Sequence, residues 1–305
     1  MFPACALLKE LQKLGYHTHM ITDERGSVFC EDISNKIICD TIRLSRKNFF
    51  STISSAFRVC SKIFREWRKN RPDIVISFGG VFTIIPSLMG KILGSKLVIY
   101  EQNAVVGKAN RLLFWCANVR LCTLLEDKRW TVVTPPVRRE FLEQNRDFTC
   151  AGKIKITVIG GSQGAESFSR IVPDSLSMLD VKCQKNIEIV QQVSAASLSE
   201  LQKRYDEIGI KAKLVTFIDN IAEEMSSSQL IICRAGASTL AELAAIGCPA
   251  ILIPYPKASD NHQFFNALRF QQEHEAWAVV EDHNAAERVQ NVISDAVAHF
   301  TLKCN

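Results

Sequence analysis

No run of apolar residues in this 305-residue chain reaches the roughly 18 that a membrane-spanning helix requires. The opening Met1-Phe2-Pro3-Ala4-Cys5 also lacks the basic start and apolar middle of a secretory signal. The expectation is a protein that stays in the cytoplasm and reaches a membrane only from one side. None of the 11 cysteines forms a C-x-x-C pair, and their scatter excludes a zinc ribbon or a regular disulfide framework. They are expected to be reduced and mostly buried thiols. The G-x-G-x-x-G spacing of a dinucleotide site is missing. Repeats and low-complexity tracts are missing too. Lys plus Arg exceed Asp plus Glu by only 37 to 32, a net +5 that is too mild to indicate nucleic acid, though it suits an anionic membrane surface or a phosphorylated substrate.

What is present is an ordinary globular composition. Hydrophobic residues make up 47% and charged residues 23%, enough apolar surface to exclude disorder over most of the length. Short β-branched runs alternate with longer amphipathic stretches. Residues 73–77 (DIVIS), 96–100 (KLVIY), 153–159 (KIKITVI), 230–233 (LIIC) and 249–253 (PAILI) read as buried parallel strands. Helical patterns over 3–14, 51–70 and 240–246 lie among them. Such alternation predicts an α/β architecture, in which ligands bind where loops leave the carboxyl ends of strands. Pro135-Pro136 and the polar stretch 143–149 place a boundary between about 134 and 152. Two domains are expected, over 1–140 and 151–305.

The sharpest local signal is Gly160-Gly161-Ser162-Gln163-Gly164, directly after a strand and before a helical pattern over 165–178. Its glycines admit close backbone approach, and the helix start offers N–H groups to an anion. A tight strand-to-helix turn explains the same residues. A second such turn, Arg234-Ala235-Gly236-Ala237-Ser238-Thr239, leads into Leu240-Ala241-Glu242 and is a natural diphosphate seat. Glu242 has two readings there. Thr239-x-x-Glu242 is a capping box in sequence, and a carboxylate one turn into the helix also suits two ribose hydroxyls. Asp260-Asn261-His262-Gln263 follows the Pro254-Tyr255-Pro256 loop. Asp260 reads as an N-cap or as one of several groups facing sugar hydroxyls, and His262 as an inert surface imidazole or a base.

In the first half, Ser77-Phe78-Gly79-Gly80 and Glu101-Gln102-Asn103 each follow a strand. The polar trio is costly to bury without partners, which favours a ligand cleft. Arg138, after Pro135-Pro136-Val137, is either a phosphate ligand or a solvated charge. Residues 49–71 interleave Phe50, Ile53, Phe57, Phe64 and Trp67 with Arg58, Lys62, Arg65, Arg68, Lys69 and Arg71. That pattern fits a helix lying on an anionic membrane, although such stripes more often pack on the core with the basic residues solvated.

Taken together, GGSQGAE (160–166), CRAGASTLAELAAIGCPAILIPYP (233–256), DNHQFFNAL (260–268), ISFGG (76–80) and YEQNAVVGKANRLL (100–113) resemble the MurG family of N-acetylglucosaminyltransferases. The resemblance runs from Phe2 to about Val280. It implies a GT-B fold, two Rossmann-like domains with parallel sheets facing across a cleft, the first on the acceptor and membrane side and the second binding the UDP-sugar. The implied reaction is inverting transfer of N-acetylglucosamine from UDP-N-acetylglucosamine to the C4 hydroxyl of N-acetylmuramic acid in undecaprenyl-linked lipid I, forming lipid II for peptidoglycan. The implied location is peripheral, on the cytoplasmic face of the bacterial inner membrane. Carried over residue by residue, Ser162 contacts the diphosphate, and Ala237, Ser238, Thr239, Leu240, Ala241 and Glu242 hold diphosphate and ribose. Ile218, between Phe217 and Asp219, meets uracil through its backbone. Gln263 reads hydroxyls of the transferred sugar, while Asn103 and Arg138 line the cleft. The family implies no cofactor, no metal and no nucleic acid.

The departures shape the expectation. Family members carry a strand and a G-G-T-G-G-H loop ahead of the segment that matches residues 2–11, and the family's proposed base is the His of that loop. It has no counterpart in these residues, so no catalytic base is assigned; a late start site or a decayed gene is the expected origin. Tyr100 stands where many relatives have His, and PPVR replaces the usual NPVR. The competing readings are a non-catalytic UDP-sugar-binding remnant and another UDP-sugar enzyme of the same fold.

Overall fold

A computed structural model describes residues 2–23, 36–39, 49–145, 153–160 and 166–304. The chain divides into two compact units, Met1–Arg138 and Arg139–Asn305.

The second unit is built on a six-stranded sheet. Its strands are Ile154–Ile159 (β7), Ile187–Gln192 (β8), Lys211–Val215 (β9), Leu230–Cys233 (β10), Ala250–Leu252 (β11) and Ala276–Ala278 (β12); strands β1 to β6 belong to the first unit. All pair in parallel, in the spatial order β12-β11-β10-β7-β8-β9. Along β7, Ile154, Ile156, Thr157 and Val158 are all buried, as a strand covered on both faces requires. The buried Thr157 hydroxyl is matched by Ser228 Oγ at 2.8 Å and the Glu224 carboxylate at 3.2 Å. The helix Ala285–Cys304 buries Val289, Ile293 and Val297, spaced one turn apart, in the same core as Phe168, Ile171, Val172 and Leu176 from the helix Phe168–Ser177.

The first unit has two sheets among its described residues. Met20–Asp23 (β1) and Lys36–Cys39 (β2) pair in parallel with each other. Ile74–Ser77 (β3), Lys96–Glu101 (β4), Val119–Cys122 (β5) and Thr131–Val132 (β6) form a parallel sheet in that order. The helix Phe49–Lys69 buries Val59, Ile63 and Trp67, four apart, against Ile21, Val75, Phe82, Ile85, Met89 and Leu93. The apolar stripe of this helix is therefore core at Trp67, and Phe57 and Phe64 remain 73% and 41% exposed. Phe50 and Ile53 lie outside the residues whose side chains are described.

Two expectations are refined here. Cys60, Cys116, Cys122, Cys183, Cys233 and Cys248 are free thiols, but Cys5 is disulfide-bonded. Sequence spacing carries no information about which thiols approach in space, so the reading of every cysteine as reduced missed it. Burial raises the Cys233 thiol, which stays protonated and unreactive. The strands β5, β8 and β9 carry polar residues such as Arg120, Glu188, Lys211 and Lys213, which break the apolar runs that identified their neighbours.

Close packing makes one glycine indispensable. A Cβ on Gly90, in the helix Ile84–Ile92, would lie 2.5 Å from Val75 Cγ2 and 3.4 Å from the Trp67 ring. Gly90→Ala is expected to destabilise the chain by about 1–3 kcal/mol, read as a lower midpoint in urea unfolding. An unchanged midpoint would show that helix and strand can separate freely.

Candidate functional site

In the second unit, strand order runs from β7 outward through β8 and β9, then reverses through β10, β11 and β12. Chain connections leave in opposite directions at the junction of β7 and β10. The crevice outside their carboxyl ends is where doubly wound sheets bind ligands. Gly160 leaves β7 there, and Arg234-Ala235-Gly236 leaves β10. The next residues after Gly160, including Ser162, lie outside the described residues.

Beyond β10, the helix Ala237–Ile246 starts with Gly236 as N-cap, at φ −72° and ψ 135°, without a side-chain capping bond. Ala237, Ser238 and Thr239 are the first three helical residues, and Leu240 N closes the first turn on Gly236 O at 3.0 Å. This register decides one open question about Glu242. A capping box needs its Thr at the N-cap and its Glu three residues on. Thr239 instead occupies the third helical position, so Glu242 sits a further turn along, half-buried, and is not half of a box. Leu240 and Ala241 are turned into the core. What the helix presents at this edge is therefore the amides of its first turn, the Ser238 and Thr239 side chains and the Glu242 carboxylate, a set of donors and one acceptor suited to an anion followed by a diol.

Arg234 ties the surrounding loops together. Its guanidinium donates to the carbonyls of Ile253 at 3.1 Å and Pro254 at 3.4 Å beyond β11, and to Ser167 Oγ at 2.9 Å ahead of the helix Phe168–Ser177. It also pairs with Glu281 beyond β12. The same group lies 4.6 Å from the Phe168 ring centroid and 5.5 Å from that of Tyr255. One planar fork thus spans loops from four strands, a role that Lys, with a single point charge, cannot reproduce. Two further bonds set the neighbouring helix His262–Phe270. The buried Asn266 donates from Nδ2 to Ala235 O at 3.1 Å, and Gln263 Oε1 accepts from Tyr255 N at 2.9 Å. Ile218 lies in the loop after β9, half-buried, on the same carboxyl edge.

In the first unit, Glu101 ends β4 and is buried. Its Oε1 accepts from Asn103 N at 3.1 Å and Asn103 Nδ2 at 3.0 Å. Its Oε2 accepts from Gly107 N at 2.8 Å and Asn110 Nδ2 at 2.9 Å. The loop is wrapped around the carboxylate, which resolves the cost of burying it without any ligand. Tyr100 is buried beside it, with its hydroxyl 2.6 Å from Thr123 Oγ1 and its ring edge-on to Phe78 at 5.4 Å. Burial pushes the Tyr100 phenol up, so it remains protonated and cannot serve as a base. Arg138 closes this unit with its guanidinium 4.9 Å from the Phe2 ring centroid. Among the described residues, no three His, Cys, Asp or Glu side chains are grouped to hold a metal.

With this geometry established, known proteins place the chain. Residues 1–120 match the glycosyltransferase family 28 N-terminal domain and residues 155–301 the family 28 C-terminal domain. A Bartonella bacilliformis protein is 39% identical over 281 residues, covering 88% of this chain and 74% of the relative. A Bartonella henselae protein is 35% identical over 310 residues, covering 97% and 82%. Both are named UDP-N-acetylglucosamine--N-acetylmuramyl-(pentapeptide) pyrophosphoryl-undecaprenol N-acetylglucosamine transferase. The chain belongs to the MurG family. The crystal structure of Acinetobacter baumannii MurG shares its fold, with a TM-score of 0.79 at 24% identity over 99% of this chain and 90% of that one. The α/β architecture with two units of parallel sheet is therefore that of GT-B glycosyltransferases.

Within this family frame, the second unit brings Ala237, Ser238, Thr239, Glu242, Ile218 and Gln263 to one sheet edge, while Asn103 and Arg138 belong to the first unit. Sequence reading gave no separate role to Arg234 or Asn266, both inside matching motifs. For Asn266 the signal was a polar residue on the buried side of a helical pattern; for Arg234, in the turn after β10, spacing carried none. Because four donors converge on Glu101, Glu101→Gln would turn an amide NH₂ toward them. The substitution is expected to cost about 1–3 kcal/mol in urea unfolding; full retention of stability would mean the loop holds without the carboxylate.

Proposed function

We propose that this chain transfers N-acetylglucosamine from UDP-N-acetylglucosamine to the C4 hydroxyl of N-acetylmuramic acid in lipid I, producing lipid II with inversion at the anomeric carbon. The observation that carries this reading is the uncapped first turn of the helix Ala237–Ile246 at the β7–β10 reversal, in a chain of the MurG family. In the reaction the hydroxyl oxygen forms the new bond to the anomeric carbon, the bond from that carbon to the diphosphate oxygen breaks, and the hydroxyl proton leaves to a base. Negative charge then builds on the departing UDP. The amides of Ala237, Ser238 and Thr239, at the positive end of the helix, stabilise that charge. The Ser162 hydroxyl adds a donor from the β7 loop. Glu242 accepts from the ribose hydroxyls, the Ile218 backbone meets uracil, and Gln263, fixed by its bond to Tyr255, faces the transferred sugar. Acceptor recognition falls to the first unit, through Asn103 and Arg138.

The test is transfer of labelled N-acetylglucosamine from UDP-N-acetylglucosamine to a lipid I analogue. Turnover is expected in the parent. Glu242→Ala is expected to lower kcat/KM for the donor about tenfold to a hundredfold, in line with the loss of hydrogen bonds at a charged acceptor. Turnover unaffected by this change would remove Glu242 from the donor site. Parent protein that binds the UDP-sugar but never turns over would favour the binding-remnant reading.

The same reading puts the protein on the cytoplasmic face of the inner membrane as a peripheral protein. No described helix is long and apolar enough to cross a membrane. Support comes from the outer face of the helix Phe49–Lys69, where Phe57 and Phe64 are exposed among Arg58, Lys62, Arg65 and Arg68. Aromatic side chains enter the headgroup region while the basic residues meet anionic lipid. Replacing both Phe57 and Phe64 with Ser is expected to reduce sedimentation with phosphatidylglycerol vesicles at least fivefold, an estimate from the apolar area withdrawn. Equal sedimentation of parent and variant would place the contact elsewhere.

A further inference from the structure

The edge of a β-sheet presents a row of unpaired backbone groups, which templates pairing with a further strand unless something blunts it. Several sheet edges among the described residues are blunted. β6 is two residues long and β12 three. β9 carries Lys211 and Lys213. β3, at one edge of the larger sheet of the first unit, has none of these protections. It reads Ile74-Val75-Ile76-Ser77, without charge or proline, and Ile74 and Ile76 are 54% and 36% exposed.

The backbone of β3 shows which of its groups face outward. Asp73 O accepts from Lys96 N, at the start of β4, at 2.8 Å. Successive residues of a strand direct their N–H and C=O groups alternately to its two sides. Asp73, Val75 and Ser77 therefore address β4, and Ile74 and Ile76 address the open side. Among the described residues, β3 pairs with β4 alone.

The far wall of this opening is β1. Ile21 of β1 and Val75 of β3 both pack against Val59, Ile63 and Trp67 of the helix Phe49–Lys69. Met20, on the opposite face of β1, packs with Cys5 and Leu8 of the helix Phe2–Lys13. The two strands share one covering helix, yet they are not hydrogen-bonded neighbours. Paired strands stand about 4.8 Å apart, so the next spacing a sheet allows is about 10 Å, with room for one strand. A two-stranded sheet such as β1–β2 is also marginal by itself and gains from another strand.

We propose that the opening between β1 and β3 is a strand-addition site whose occupant is an extended apolar segment of a separate polypeptide. The chemistry selects this class. The outward N–H and C=O groups of Ile74 and Ile76 repeat at the period of a β-strand, which extended backbone matches. Side chains of the added strand alternate between two faces, one lined by Val59 and Ile63 and the other by Ile74, Ile76 and Met20. Both faces are apolar, so a charged segment is rejected. β1 and β3 are each four residues long, which sets the length of the added segment. A second copy of β3 does not fit, because it is already paired with its own β4 and has only one edge to offer. Occupation joins the two sheets of the first unit into one.

The test is hydrogen–deuterium exchange, read residue by residue, of the full 305-residue chain with a synthetic peptide. The peptide is Val-Ile-Val-Ile-Val with a Gly-Lys-Lys tail for solubility. It is expected to slow exchange of the Ile74 and Ile76 amides, and of amides in β1, at least about tenfold. Two further peptides, N-methylated at alternate residues so that each has one edge blocked, are both expected to fail, because a strand between two walls pairs on both sides. Ile76→Lys brings a charge to the apolar face without removing a backbone bond to β4. It is expected to weaken peptide binding at least about tenfold while leaving the urea midpoint of the free protein unchanged. No protection by the unmodified peptide would overturn the proposal, and so would undiminished binding to Ile76→Lys. Protection by either methylated peptide would show one-sided edge pairing and overturn the two-walled site. Slow exchange at Ile74 and Ile76 in the parent alone would show an edge already paired, by a second copy or by the chain itself, and would overturn it too.

Discussion

The reversal of strand order between β7 and β10 is the constraint on which the second unit depends. In a parallel sheet every strand enters from the same edge and every following loop opens at the other. Where order runs one way throughout, adjacent loops cross over the same face and cover the strand ends. At the reversal they part, leaving the ends of β7 and β10 uncovered. Gly160, at the end of β7, and the Arg234-Ala235-Gly236 turn flank this opening. Placing both on the same edge required only that the two apolar strands be parallel neighbours.

An opening of this kind needs walls of fixed shape, and Arg234 supplies them. A guanidinium that reaches the loops beyond β7, β10, β11 and β12 converts separate loops into one rim. Its charge is balanced by Glu281 and its faces are covered by aromatic rings. Such a partly buried, many-partnered Arg is well suited to positioning because its guanidinium is a planar, rigid fork. In the first unit Glu101 does the complementary task with the opposite sign: a carboxylate at the end of β4 gathers four donors and folds the 101–110 segment around itself. Both charges are spent on architecture.

This division also clarifies where polar residues in a sequence mislead. The Glu101-Gln102-Asn103 trio reads as too polar to bury unless a ligand is present, yet Asn103, Gly107 and Asn110 satisfy the Glu101 carboxylate from within the chain. The Thr239-x-x-Glu242 spacing reads as a capping box, yet the helix starts three residues earlier, at Gly236. In each case the local pattern was correctly perceived and its partner was not. Hydrogen-bond partners at separations such as Asn266 to Ala235 or Arg234 to Glu281 cannot be inferred from spacing, because nothing in the intervening residues records the closure.

The amino-acid sequence alone determined the α/β class, the positions of the five strands it marked by apolar residues, and the family. It could do so because strands inside a covered parallel sheet are largely apolar, but β3 corrects the reading of all five as buried: its apolar run leaves Ile74 54% and Ile76 36% exposed. Tertiary structure alone decided the rest. It gave Trp67 to the core and left Phe57 and Phe64 outside, since a helix's inward face depends on what packs against it. It showed Cys5 in a disulfide while six other thiols stay free. It set the register that released Glu242 from the cap. These outcomes depend on contacts between distant segments, which exist only once the sheet has brought those segments together.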